Sequence, residues 1–97
     1  MPEPSHRRLD LSRLPRYTQQ ESDDFVAARD LINAVIAVYS SLIYKARNEE
    51  EKRRLREEQR VHIAARRDLT VYDQEEVRRV RAECPSLLQE LRARNDG

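Results

Sequence analysis

Leu31-Ile32-Asn33-Ala34-Val35-Ile36-Ala37-Val38-Tyr39-Ser40-Ser41-Leu42-Ile43-Tyr44 carries no charged residue, in a chain where 38% of all residues are charged. An ordinary globular domain holds about 25% charged residues, so this stretch stands out against an unusually polar background. Around it the apolar positions Phe25, Ala28, Ile32, Val35, Tyr39, Leu42 and Ala46 step by three and four, the spacing of one helix face. Leu31, Ile36, Val38 and Ile43 widen that stripe until the helix is apolar nearly all round. Such a helix needs contact on more than one side. One neighbouring helix cannot supply it, so the pattern predicts a bundle completed by self-association or by a cognate protein. Phe25, Ile32, Val35, Ile36, Tyr39, Leu42 and Ile43 are the expected interface residues.

Upstream, Thr18-Gln19-Gln20-Glu21 has the capping-box spacing, and Asp23 and Asp24 follow where the helix dipole favours anions. The first helix therefore starts near Gln19. Downstream there is no Gly or Pro before Pro85. Asn48 offers the one credible break, because it tolerates a left-handed turn and heads a second cap, Asn48-Glu49-Glu50-Glu51. A straight rod would rotate Phe25 and Leu55 about 120° apart at 100° per residue, so a hairpin is preferred to a single rod. The second helix, about 49–68, is heavily charged. Its narrow apolar side is Leu55, His62, Ala65 and Leu69, and Glu49–Arg53 and Glu50–Arg54 are spaced as i,i+4 ion pairs. Thr70-Val71-Tyr72 interrupts it. Asp73 and Glu76 then form a third capping box, with Tyr72 and Val77 placed as a hydrophobic staple. The third helix, about 74–94, presents Val77, Val80, Cys84, Leu87 or Leu88, and Leu91, and keeps its phase through Pro85, where a kink or short break is expected.

The fold class expected is all-α: a three-helix hairpin or bundle (19–47, 49–68, 74–94) forming one domain over 18–97. Residues 1–17 form an N-terminal arm, interrupted by Pro2, Pro4 and Pro15 and carrying Arg7, Arg8, Arg13 and Arg16. It is either a loose terminus or a clamp whose Leu9, Leu11 and Leu14 dock on a partner.

Chemistry is constrained by what is scarce. Gly97 is the only glycine, which excludes glycine-dependent phosphate cradles and nucleophile elbows. One Cys and two His cannot build a four-ligand zinc site within one chain; Glu58 and His62 could at most share a metal edge with a symmetry mate. Cys84 sits on an apolar stripe, where cysteine usually serves as a small hydrophobe. No catalytic residue, cofactor or metal is assigned. Asn33, Ser40 and Ser41 suit register control and close helix approach. Arg53, Arg56, Arg60 and Arg67 share one face of the second helix and are the candidate anion or partner surface, although compensation by Glu49 and Glu57 would leave an ordinary solvated face.

A net charge of +1 argues against wholesale binding to nucleic acid or anionic lipid. The lone cysteine suits a reducing compartment, and the apolar run falls short of the ~20 residues a membrane span needs. A cytoplasmic, non-membrane protein–protein interaction module is the first expectation: an adaptor, an antitoxin or immunity-type neutraliser, or a small complex subunit, homodimeric in the simplest case. The Arg-rich composition also suits a G+C-rich bacterial genome. A nucleic-acid-associated regulator using the arm and the second helix is the alternative, and a small all-helical enzyme the minor one.

Overall fold

The computed structural model describes residues 16–97 and contains three helices: α1 (Gln19–Lys45), α2 (Glu49–Asp68) and α3 (Gln74–Asp96). The expected all-α bundle is thus the architecture found. Its order is not that of a closed triangle. α1 packs against both α2 and α3, whereas no Cα of α2 comes within 8 Å of a Cα of α3. The helix that carries the charge-free stretch is the middle member, with a more heavily charged helix on either side.

Each start follows its cap. Glu21 N–H donates to Thr18 Oγ1 at 3.0 Å, and Thr18 N–H donates back to Glu21 Oε1 at 2.8 Å. At α2, Glu51 N–H donates to Asn48 Oδ1 at 2.8 Å, but the Glu51 carboxylate accepts from Arg47 N–H at 3.4 Å, so only half of a box forms. Asn48 makes the break by capping from extended backbone (φ −147°), not by a left-handed turn. Ala46 is likewise extended, and α1 stops at Lys45, two residues before the expected end. At α3, Glu76 N–H donates to Asp73 Oδ1 at 3.1 Å. The Glu76 carboxylate pairs with Arg79 instead of returning to the cap. Asp73→Ala should therefore cost about 1 kcal/mol and lower Tm by about 4–8 °C, read by circular dichroism melting.

One other local expectation is corrected. Arg53 pairs with Glu50 and with Glu57 (3.4 Å), and Lys52 takes Glu49 (3.6 Å), so the i,i+4 partners expected of Arg53 and Arg54 are not the ones chosen. Tyr72 packs edge-on against Tyr17, with ring centroids 5.5 Å apart, and stays half exposed while Val77 is fully buried. Tyr17, the last residue of the expected arm, thus touches the connection between α2 and α3.

The core is one cluster: Ala28, Ile32, Val35 and Tyr39 from α1, Leu55 from α2, and Val77, Val80, Cys84, Leu88 and Leu91 from α3. α3 is continuous through Pro85, and its buried residues lie on both sides of it. Proline has no N–H to donate to the Arg81 carbonyl, and both residues are exposed, so water can satisfy that carbonyl. α3 ends at Asp96, two residues beyond the expected end.

The chain runs up, down, up. Arg66 Nη1 donates to Asn33 Oδ1 (3.0 Å), and Gln59 Nε2 donates to Ser40 Oγ and to the Ile36 carbonyl (both 2.9 Å), which sets α2 antiparallel to α1. Arg81 meets Asp24 at 2.7 Å, and Ser41 Oγ donates to Asn95 Oδ1 at 3.1 Å, which sets α3 parallel to α1. The three polar side chains in the charge-free stretch thus each bond to a flanking helix. They set register inside the chain.

Candidate functional site

Because the backbones of α2 and α3 stay apart on either side of α1, they leave a groove of about 250 Å³ between them. Ile32 of α1 contributes to its lining. Val61, His62 and Ala65 line the α2 side, and Arg79, Val80, Glu83, Cys84 and Leu87 the α3 side. Val61 is 66% exposed, and Ala65 and Leu87 are half-buried. The groove is largely apolar, with Arg79 and Glu83 joined at 3.0 Å.

A polar cluster shares His62 with this groove. Tyr39 Oη donates to Glu58 Oε1 at 3.1 Å, Arg94 of α3 comes within 4.0 Å of the same carboxylate oxygen, and His62 stacks on the Tyr39 ring at 5.5 Å. Three helices are thus tied through one carboxylate. Burial pushes the Tyr39 phenol upward, and its bond to Glu58 adds to that rise. Burial pushes the His62 imidazole below its usual value, while the Glu58 charge opposes this. A lowered folded-state value means that the unfolded chain binds the proton more readily. His62 should therefore favour the fold fully above about pH 6.5, with that contribution lost as pH falls through the lower folded-state value. Tm measured from pH 7.5 to 5 should fall more for the native chain than for His62→Gln.

Cys84 lines the groove with His62, but burial and the Glu83 charge push its thiol upward, away from the thiolate form a nucleophile needs. Among the described residues no group of three or more His, Cys, Asp or Glu could hold a metal ion. The arrangement can accept apolar surface.

The expected interface residues divide in two. Ile32, Val35 and Tyr39 are 2%, 0% and 4% exposed and belong to the chain's own core, because α2 and α3 approach α1 on the sides to which that stripe points. They are not accessible to a partner in this fold. Phe25, Ile36, Leu42 and Ile43 are partly buried against the same core. The open side of α1 lies elsewhere: Val26 (39% exposed), Ala37 and Tyr44 (88% exposed), with half-buried Ala34 and Ser41 between them. Val26, Ala37 and Tyr44 are eleven and seven residues apart, hence on one helical face. That spacing was present in the sequence, but it stood out only once the larger stripe had been used up internally.

The arginine face is similarly divided. Arg53, Arg56, Arg60 and Arg67 are all exposed on α2. Arg53 is neutralised by Glu50 and Glu57, and Arg67 by Asp68 at 3.0 Å. Among the described residues no carboxylate pairs with Arg56 or Arg60, leaving two arginines where four were expected to act. Leu9, Leu11 and Leu14 lie outside the described residues.

α1 is also the one described helix long and apolar enough to cross a membrane: an 18-residue window has mean hydropathy 1.5 and is 22% buried. At 27 residues its length is sufficient, contrary to the expectation from the charge-free stretch alone. The core helix of a small water-soluble bundle passes the same test. Comparison with protein-family models, with curated proteins and with solved structures finds no match to this chain.

Proposed function

We propose that this protein is a small interaction module that pairs with a second copy of itself through the outer face of α1. One observation carries the reading: of the fourteen residues Leu31–Tyr44, only Ile32, Val35 and Tyr39 are buried within the chain. Most of the rest are half-buried, and Ala37, Ser40 and Tyr44 stay exposed, leaving a charge-free strip on the outer side of α1. Its ends favour self-pairing. Asp30 lies seven residues before Ala37 and Lys45 eight after it. An antiparallel, two-fold pairing centred on Ala37 sets each Asp30 near the other copy's Lys45, as an isologous contact requires. Small Ala34, Ala37 and Ser41 allow close approach, and Tyr44 supplies an amphipathic aromatic of the kind enriched in interfaces.

An aqueous setting fits this reading better than a bilayer. Asn33 and Ser40, within the charge-free stretch, bond to Arg66 and Gln59 of α2, a helix dominated by charged residues. Embedding α1 in lipid while keeping those bonds would carry α2's charges in with it, at several kcal/mol for each charge near the bilayer centre.

Sedimentation equilibrium at micromolar concentration should return twice the chain mass. Ala37→Arg, which sets two cations opposite each other at the centre of the pair, should return the chain mass with helicity retained. A native chain that stays monomeric throughout that range would remove the proposal.

On the face of α2 expected to bind anions, the nucleic-acid reading keeps Arg56 and Arg60. Its signature would be retention of duplex DNA or RNA at low salt that weakens steeply as salt rises.

A further inference from the structure

We infer that the groove between α2 and α3 is the docking site for a cationic amphipathic helix of a partner protein, one with aliphatic side chains along one face and Lys or Arg on either side of it. This goes beyond the pairing proposed above, which uses the opposite face of α1. The floor of the groove is apolar: Ile32, Val61, Ala65, Val80, Cys84 and Leu87 line a recess of about 250 Å³, and such a surface calls for aliphatic side chains. Its banks are acidic. On α2, Glu58, Val61, Ala65 and Asp68 step by three and four, and on α3 so do Glu76, Val80, Glu83, Leu87 and Glu90. Each bank therefore carries its carboxylates on the helix face that lines the groove.

Charge selects the occupant. Between residues 58 and 68 of α2 and residues 76 and 94 of α3, all five carboxylates lie on the groove side. Of the eight arginines in those spans only Arg79 and Arg94 share that side, and its carboxylates already hold both: Arg79 pairs with Glu76 and Glu83, and Arg94 comes within 4.0 Å of Glu58. Arg67 reaches round to Asp68 at 3.0 Å, and no base among the described residues pairs with Glu90. Arg66 and Arg81 are turned to Asn33 and Asp24 of α1. The chain's net charge of +1 conceals this division, because the surplus cations sit on other sides of the same helices. A trough with an apolar floor and a net negative rim favours an aliphatic, cationic partner.

Shape selects a helix. From Val80 to Leu87 the floor runs about 10 Å at 1.5 Å per residue, two turns, which takes anchors at i, i+3 or i+4, and i+7. The backbone groups of the lining helices are spent on their own hydrogen bonds. An extended peptide would gain no main-chain partners there, whereas a helix brings its own. A helix laid over α1 between α2 and α3 completes a four-helix bundle.

The probe is a labelled synthetic peptide of leucine and lysine, about fourteen residues or four turns long, with its leucines at helical spacing. It is titrated with the full chain and read by fluorescence anisotropy. Two pairs of variants with equal net charge decide. Val61→Arg sets a cation in the groove, and Ile63→Arg sets the same cation on another side of α2; both positions are exposed, at 66% and 38%, so both chains should keep their helicity. Val61→Arg should weaken binding about tenfold and Ile63→Arg less than about twofold. Glu90→Gln and Glu75→Gln remove the same charge from the groove side and from outside it, both at exposed positions. Glu90→Gln should weaken binding about threefold, and Glu75→Gln should leave it unchanged. A peptide with glutamate in place of lysine should bind the native chain at least about tenfold more weakly. Equal weakening within either pair means that the peptide follows net charge, and it overturns the inference. A glutamate peptide that binds as tightly overturns it too, as does a native chain that leaves the lysine peptide free up to about 100 μM. Should Val61→Arg fail to fold, the Glu90 and Glu75 pair decides.

Discussion

Val35→Asp should leave the chain largely unfolded at 25 °C. Val35 is fully buried in α1, and no polar or charged residue is buried in the described core to receive a carboxylate. An unpaired buried charge costs several kcal/mol even after its pKa rises to neutralise it. A domain of this size has about 4–12 kcal/mol of stability in total, so one such substitution removes most of it. Far-UV circular dichroism should show the helical signal lost, or melting near room temperature. Arg60→Ala is the matched control: an exposed position with no carboxylate partner among the described residues should stay within about 0.5 kcal/mol of the native chain. Similar melting of the two variants would mean that the assignment of inner and outer faces is wrong.

Leu91→Ala should cost about 3 kcal/mol, within the range of about 2–5 for a buried Leu→Ala change, and lower Tm by about 10–20 °C. Leu91 is fully buried and lies six residues beyond Pro85. Its side chain seats the far half of α3 on α1, helped by the Lys45 ammonium donating to the Asn95 carbonyl at 2.9 Å. Leu87→Ala, half-buried beside the groove, should cost clearly less. A Leu91→Ala chain melting within a few degrees of native would mean that α3 is not docked beyond the proline.

Both effects were partly legible in the residues alone. The three-four spacing of Phe25, Ala28, Ile32, Val35 and Tyr39 identifies an inner face, and the cap residues Thr18, Asn48 and Asp73 mark three helix starts. Each is a local signal: a side chain and backbone groups three residues away, or side chains one turn apart. The divided roles were not legible. Whether Ile32 meets the same chain or another depends on where α2 and α3 come to lie, and no spacing within α1 encodes that. Glu58 looked like a partner for His62, four residues on, yet it takes its proton donor from Tyr39, nineteen residues back. Arg53 and Arg67 looked equivalent to Arg56 and Arg60 until rotamers committed them to neighbouring carboxylates.

Local chemistry in the sequence therefore determined the helix count, the breaks at Asn48 and Asp73, and the presence of one helix too apolar to stand in water. Tertiary structure decided that this helix lies between two others whose backbones stay apart, that its larger stripe is spent inside the chain, and that a groove and a separate outer face remain. The reason is range. Caps and periodicity act over three or four residues, whereas burial is set by which distant segments share the same space, and here Arg66, Gln59, Arg81 and Asn95 settle that by bonding to α1 from either side.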